Sequence, residues 1–232
     1  MLKNVFLTTE NVSIFEGFCD ELRDPSSLVG PSLAQVIGPA GRGKTEAAKR
    51  RAVKTNDIYI PPMILRSPGA FLREIEFELA KTKHHRIEDC LSVIGQEMGR
   101  ERRVIMIDEA DLLKFSILEM CRNINERYAC PFVFIGEMGL AGKLERERRM
   151  TSRLRRKMTF NPVSQADISL YFENALGSAL SPPDVAMVQR YSKGDWRPVL
   201  TLAVSIDRAI SASGLREIPD GLVKGIIDDR ES

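Results

Sequence analysis

Apolar side chains follow two rhythms along this chain. Between residues 30 and 160, short runs that are mostly apolar, at 33–37, 57–60, 104–107 and 132–135, alternate with longer segments whose apolar positions recur every three or four residues. A run of four or five β-branched or aromatic residues bounded by charges or turn formers reads as a strand buried on both faces, and a spacing of three to four is one face of a helix. Helices are therefore predicted over 44–53, 68–79, 87–98 and 116–128, with Phe71, Leu72, Ile75 and Leu79 on the buried face of the second. Pro61 and Pro62 end the strand at 57–60, and a shorter strand at 157–160 closes the series. Ahead of the first strand, Thr9 caps a helix whose apolar positions Val12, Ile14, Phe15, Phe18 and Leu22 stop before Pro25. From Ser164 onward the strand signals vanish, and helical segments follow near 164–177, 183–192, 198–213 and 219–229. The alternation predicts a parallel sheet covered by helices, an α/β domain over residues 1–163, followed by a small all-helical domain over residues 164–232.

Composition adds exclusions. With 232 residues, 43% of them hydrophobic, the chain is long enough to bury a core without staples, which removes disordered and fibrous classes. Cys19, Cys90, Cys121 and Cys130 are irregularly spaced, and only His84 and His85 could join them, so no zinc site is expected. They read as reduced, half-buried thiols in a cytoplasmic protein. No stretch has the apolar length of a membrane span, and the first residues lack a basic head followed by an apolar run.

The chemistry begins at the end of the first strand. Gly38, Pro39, Ala40, Gly41, Arg42, Gly43, Lys44 and Thr45 fit G-x-x-x-x-G-K-[ST] between a predicted strand and a predicted helix. Glycines let the backbone wrap a phosphate and aim its N–H groups from the positive end of the helix, with Glu46 just inside that helix. Lys44 is expected to reach the β and γ phosphates of ATP, and the Thr45 hydroxyl to ligate Mg²⁺. Asp108 and Glu109 follow the strand 104–107, where a carboxylate leaving a buried strand holds the metal's water shell and its neighbour deprotonates an attacking water.

These elements resemble the AAA+ ATPases, a phosphate-loop NTPase family whose sheet domain carries a helical lid, and the resemblance assigns further residues. Gly194-Asp195-Trp196-Arg197 is similar to the G-D-x-R signature of the initiator-type branch, which makes Arg197 the second sensor of the γ-phosphate. Residues 149–154 are similar to the segment that carries that branch's arginine finger, with Arg153 at the matching position. A finger acts on a neighbouring subunit's nucleotide, which implies a ring or helical filament. Read alone, the same stretch is also an ordinary solvated basic face.

Residues 38–48, 107–111 and 134–140 together resemble the transposition ATPases of Mu-like transposable phages, over about residues 5–215. That resemblance implies an ATP-dependent protein that assembles on duplex DNA, delivers target DNA to a phage transposase and stimulates strand transfer. The family's Mu member carries an additional N-terminal DNA-binding segment, for which no room is expected in this sequence. At the first-sensor position, where the family has a neutral polar residue, this chain has Glu137. Two other readings stay open: a helicase loader or secretion-type AAA+ protein that remodels a protein partner, and a nucleotide-regulated adaptor with negligible turnover.

Charge bears on the DNA question. The formal net charge is only +2, from 34 basic against 32 acidic side chains, yet residues 142–157 carry an excess of six positive charges and residues 42–54 an excess of five. Charge of that density suits phosphate contacts made without reading sequence. Lys81 and Lys83, after the second sheet-covering helix, are DNA-contact candidates because in related filaments this region tracks DNA.

Overall fold

Each apolar run forms a strand because its side chains can be buried on both faces at once. In the computed structural model, which describes residues 3, 5–24, 26, 30–61, 67–215 and 217–231, β1 (Leu33–Ile37), β2 (Ile58–Ile60), β3 (Ile105–Ile107), β4 (Phe132–Gly136) and β5 (Leu154–Thr159) make one sheet. The order is β2-β3-β4-β1-β5 and every pairing is parallel. All residues of β1, β3 and β4 are buried. Pro25 and Pro62, read as the ends of a helix and a strand, lie outside the described residues.

Around the sheet lie α1 (Glu10–Arg23), α2 (Lys44–Thr55), α3 (Pro68–Ala80), α4 (Ile87–Arg100) and α5 (Phe115–Tyr128). Two short helices, α6 (Gly139–Glu145) and α7 (Arg148–Thr151), and a 3₁₀ turn at Ala110–Leu112 were not predicted. At seven and four residues, α6 and α7 are too short to show a periodic face. The last strand begins earlier than predicted, at Leu154, because β5 is an edge strand and tolerates exposed Arg155, Arg156 and Lys157.

The cysteines also differ from expectation. All four are free and fully buried rather than half-buried. Burial pushes every one of these thiols up, Cys90 to about 11.

The C-terminal helices are α8 (Gln165–Leu176), α9 (Pro182–Ser192), α10 (Trp196–Ser213) and α11 (Leu222–Glu231). Their starts are written locally: Ser164 and Asp167 form a reciprocal capping box, Ser181 caps α9 ahead of a proline in its first turn, and Asp195 caps α10. Ile168, Phe172, Val188, Val199, Leu202, Ile206, Val223 and Ile227 build a separate core. The described residues form two compact units, one of residues 12–39 and 44–160, the other of 1–11, 40–43 and 161–232. The tip of the glycine-rich loop thus groups with the C-terminal helices. Among the described residues no helix is long and apolar enough to cross a membrane.

Candidate functional site

In a parallel sheet the loops that leave the C-terminal ends of the strands collect at one edge, and the chemistry-bearing residues sit there. β1 ends at Ile37, and the chain turns through Gly38–Gly43 before α2 opens at Lys44. Gly41 and Gly43 have φ of +74° and +93°, which side chains with a Cβ rarely adopt. The Lys44 ammonium is buried and donates to the Gly38 carbonyl at 2.7 Å and the Pro39 carbonyl at 2.9 Å, which closes the loop on itself.

Asp108, the first residue after β3, is 5% exposed and joins this loop to the sheet. Its Oδ2 accepts from the Thr45 hydroxyl at 2.8 Å and from the Tyr59 hydroxyl at 2.9 Å, and its Oδ1 from the Glu109 backbone N–H at 3.0 Å. Burial, followed by the Asp108 charge, pushes the Tyr59 phenol well above its ordinary value, so it remains a neutral donor. Glu109 is exposed and holds φ +49°, a left-handed conformation for a residue with a side chain. Such backbone costs about 1–3 kcal/mol. A hydroxyl and a carboxylate in contact form a hard-oxygen donor set, which fits a hydrated Mg²⁺, and the glycine loop ahead of a helix N-terminus fits phosphate.

The loop tip has partners of its own. The Trp196 backbone N–H donates to the Gly41 carbonyl at 2.9 Å, and the Arg42 guanidinium donates to the Lys193 carbonyl at 3.0 Å. Arg197, the second residue of α10, is exposed, and its backbone N–H reaches the Asp195 carboxylate at 2.7 Å.

Lys44, Thr45, Asp108 and Glu109 lie together at this edge. Arg153, expected to act on a neighbouring subunit, stands apart from them: it precedes Leu154, which pairs with Leu33 at the start of β1, so it lies at the opposite edge of the sheet. There its Nε meets Glu126 at 2.8 Å, and that contact holds the Glu126 carboxyl below its ordinary value. Glu46 is exposed on α2 and meets Lys49 at 3.5 Å. Glu137 is exposed beyond β4, and its backbone N–H donates to Asp111 Oδ1 at 3.2 Å. A Cβ at the neighbouring Gly136 would lie 2.4 Å from that same oxygen, which explains the glycine.

The basic segments are less free than their charge suggests. Arg51 is 1% exposed, with Asp57 at 2.7 Å and Asp20 at 2.8 Å, and is a core residue rather than a surface cation. Lys54 pairs with Glu16, Lys157 with Glu145 and Arg156 with Glu21. Lys143 donates to the carbonyls of Asp111 and Leu113, and burial lowers its pKa. Lys81 lies 3.0 Å from Glu78 and Lys83 3.3 Å from Glu74, and both ammonium groups sit over the Phe77 ring.

Sequence reasoning missed Tyr59 and Asp111. For Tyr59 a signal existed, since strand alternation sets it on the face opposite Ile58 and Ile60.

Known proteins are similar to parts of this chain. A family model described as an AAA domain matches residues 29–144, half of the chain. A potential ATP-binding protein of Staphylococcus aureus is 29% identical over 130 residues, which cover 52% of this chain and 48% of that protein. The ATP-dependent target DNA activator B of Escherichia phage Mu is 28% identical over 149 residues, covering 59% of this chain and 47% of its own length. The aligned region thus spans about half the length of these curated relatives. Among solved structures, the Aeropyrum pernix ORC1 protein in complex with DNA superposes with a TM-score of 0.63 at 18% identity, over 99% of this chain and 67% of that one. The Thermotoga maritima RuvB Holliday junction branch migration motor gives 0.65 at 18% identity, over 95% and 68%. At such identity these structures share the fold.

Proposed function

The chain belongs to the AAA-domain family, and from that premise we propose that it is a Mg²⁺-dependent ATPase that assembles on duplex DNA and, in phage transposition, delivers target DNA to a transposase and stimulates strand transfer. The observation that carries the ATPase reading is the 2.8 Å bond from Thr45 to Asp108, which unites the phosphate loop with the acidic strand end. Thr45 and Asp108 would hold Mg²⁺, which would supply neutralisation of phosphate charge there. Lys44 exchanges its loop carbonyls for phosphate oxygens, and the Glu109 carboxylate orients a water and takes its proton. Residues 164–232 act as the lid, with Arg197 as the second sensor.

Assembly is supported by the place of Arg153. At the sheet edge opposite its own chain's Asp108, it serves a nucleotide only on a second copy, as a finger does. The transposition role is supported by the similarity to the phage Mu target DNA activator and by the residues that carry it.

Sedimentation and electron microscopy with ATP and duplex DNA test this reading. Nucleotide-dependent filaments whose DNA affinity falls steeply with salt are the expected result, and monomers without salt-sensitive binding refute it. Lys81→Ala with Lys83→Ala is expected to lower the salt slope by about two. A second reading, an ATPase that remodels a protein partner, is favoured by the internal pairing of Lys81, Lys83 and Arg51. Recovery of a replicative helicase rather than a transposase from cells decides for it.

A further inference from the structure

Tyr59 holds Asp108 without belonging to the phosphate loop or the acidic strand end. Ile58 and Ile60 of β2 enter the core, so Tyr59 between them faces the other way. The Asp108 backbone N–H donates to the Ile60 carbonyl at 3.1 Å, which ties the acidic residue to the strand that carries the phenol. The Tyr59 hydroxyl then reaches Asp108 Oδ2 at 2.9 Å, the same oxygen that Thr45 reaches at 2.8 Å.

An ionised carboxylate offers about four lone-pair sites. Thr45 and Tyr59 take those of Oδ2, and the Glu109 N–H takes one on Oδ1. The direction left is on Oδ1. Thr45 sits in the loop-to-helix junction that engages phosphate, and a hydroxyl that lends a lone pair to a cation must also turn its hydrogen to suit. Tyr59 comes from the sheet, so its grip on Oδ2 is independent of the loop.

We propose that Tyr59 is a positioning residue for the metal, its hydroxyl fixing the rotation of the Asp108 carboxylate so that Oδ1 faces the water shell of nucleotide-bound Mg²⁺. The proposal rests on the ATPase reading above. Loss of a group that orients a metal's ligand from behind typically costs about 10–100-fold in metal affinity.

Tyr59→Phe in the full chain deletes the hydroxyl and keeps the ring, including its contact with Lys49 at 6.0 Å. Binding of a fluorescent ATP analogue is measured in EDTA and across a Mg²⁺ titration. The expected result is a Mg²⁺ half-saturation raised about tenfold with affinity in EDTA unchanged. A half-saturation that stays put or falls overturns the proposal, as does equal weakening with and without Mg²⁺, the signature of a merely structural role. A wild-type chain whose affinity ignores Mg²⁺ overturns the nucleotide reading itself, a failure distinct from that of Tyr59.

Discussion

Gly41→Ala disturbs two features at once. Gly41 holds φ +74°, and left-handed backbone costs a residue with a Cβ about 1–2 kcal/mol. A Cβ there would lie 1.8 Å from Asp195 Oδ1 and 2.1 Å from its Cγ, so the whole carboxylate must move. That carboxylate caps α10 through the Arg197 N–H at 2.7 Å, and a lost cap costs about 1 kcal/mol. The expected destabilisation is therefore about 2–3 kcal/mol. Asp195→Ala alone costs about 1 kcal/mol, and it also removes the obstacle. In the double variant the cap is lost only once, so the total stays at about 2–3 kcal/mol and the two changes couple by about 1 kcal/mol. Urea unfolding measures this, followed by circular dichroism and by the fluorescence of Trp196, the single tryptophan, whose ring lies 5.6 Å from that of Tyr171. A neutral Gly41→Ala, or costs that simply add, would refute the reasoning.

Arg51→Met removes the nearer cation of the fully buried Asp57, at 2.7 Å, leaving it only Arg23 at 3.8 Å, and is expected to cost about 3 kcal/mol in urea unfolding; a cost below about 1 kcal/mol would mean that the pair is dispensable. Burial alone would raise the Glu76 carboxyl, but hydrogen bonds from the His84 backbone, Cys90, the His84 ring and Thr82 outweigh it and hold the value at about 2. Because this folded-state pKa lies below the ordinary 4.5, the stabilisation is present above about pH 4.5 and is lost as pH falls towards about 2. Glu76→Gln should flatten that acid limb in unfolding midpoints measured across it, and an unchanged limb contradicts the assignment.

The sheet and the phosphate loop were legible because both are written in local pattern. Apolar runs such as 132–135 have no alternative to burial on two faces, and Gly38 to Thr45 combine a spacing with flanking elements that few other structures require. β5 was misjudged at its start because edge strands take charges, and Arg155 and Arg156 look the same on a strand as on a helix. Arg51 shows the deeper limit. Its charge was counted with that of Lys49 and Lys54, yet its partners Asp20 and Asp57 are placed by tertiary folding, and no periodicity marks such a pair. Lys143, read as part of a basic surface, turns inward to two carbonyls for the same reason. For Tyr59, alternation between Ile58 and Ile60 marks only the face it takes, and its partner Asp108 is given by the fold.

The central claim is that Lys44, Thr45, Asp108 and Glu109 make one ATP-hydrolysing site. Single-turnover hydrolysis, measured beside equilibrium ATP binding in wild type and Glu109→Gln, tests it most directly. The account predicts that Glu109→Gln binds ATP as wild type does while hydrolysis slows about 10²–10⁴-fold. Unchanged hydrolysis in Glu109→Gln, or a wild type that binds no ATP, would contradict it.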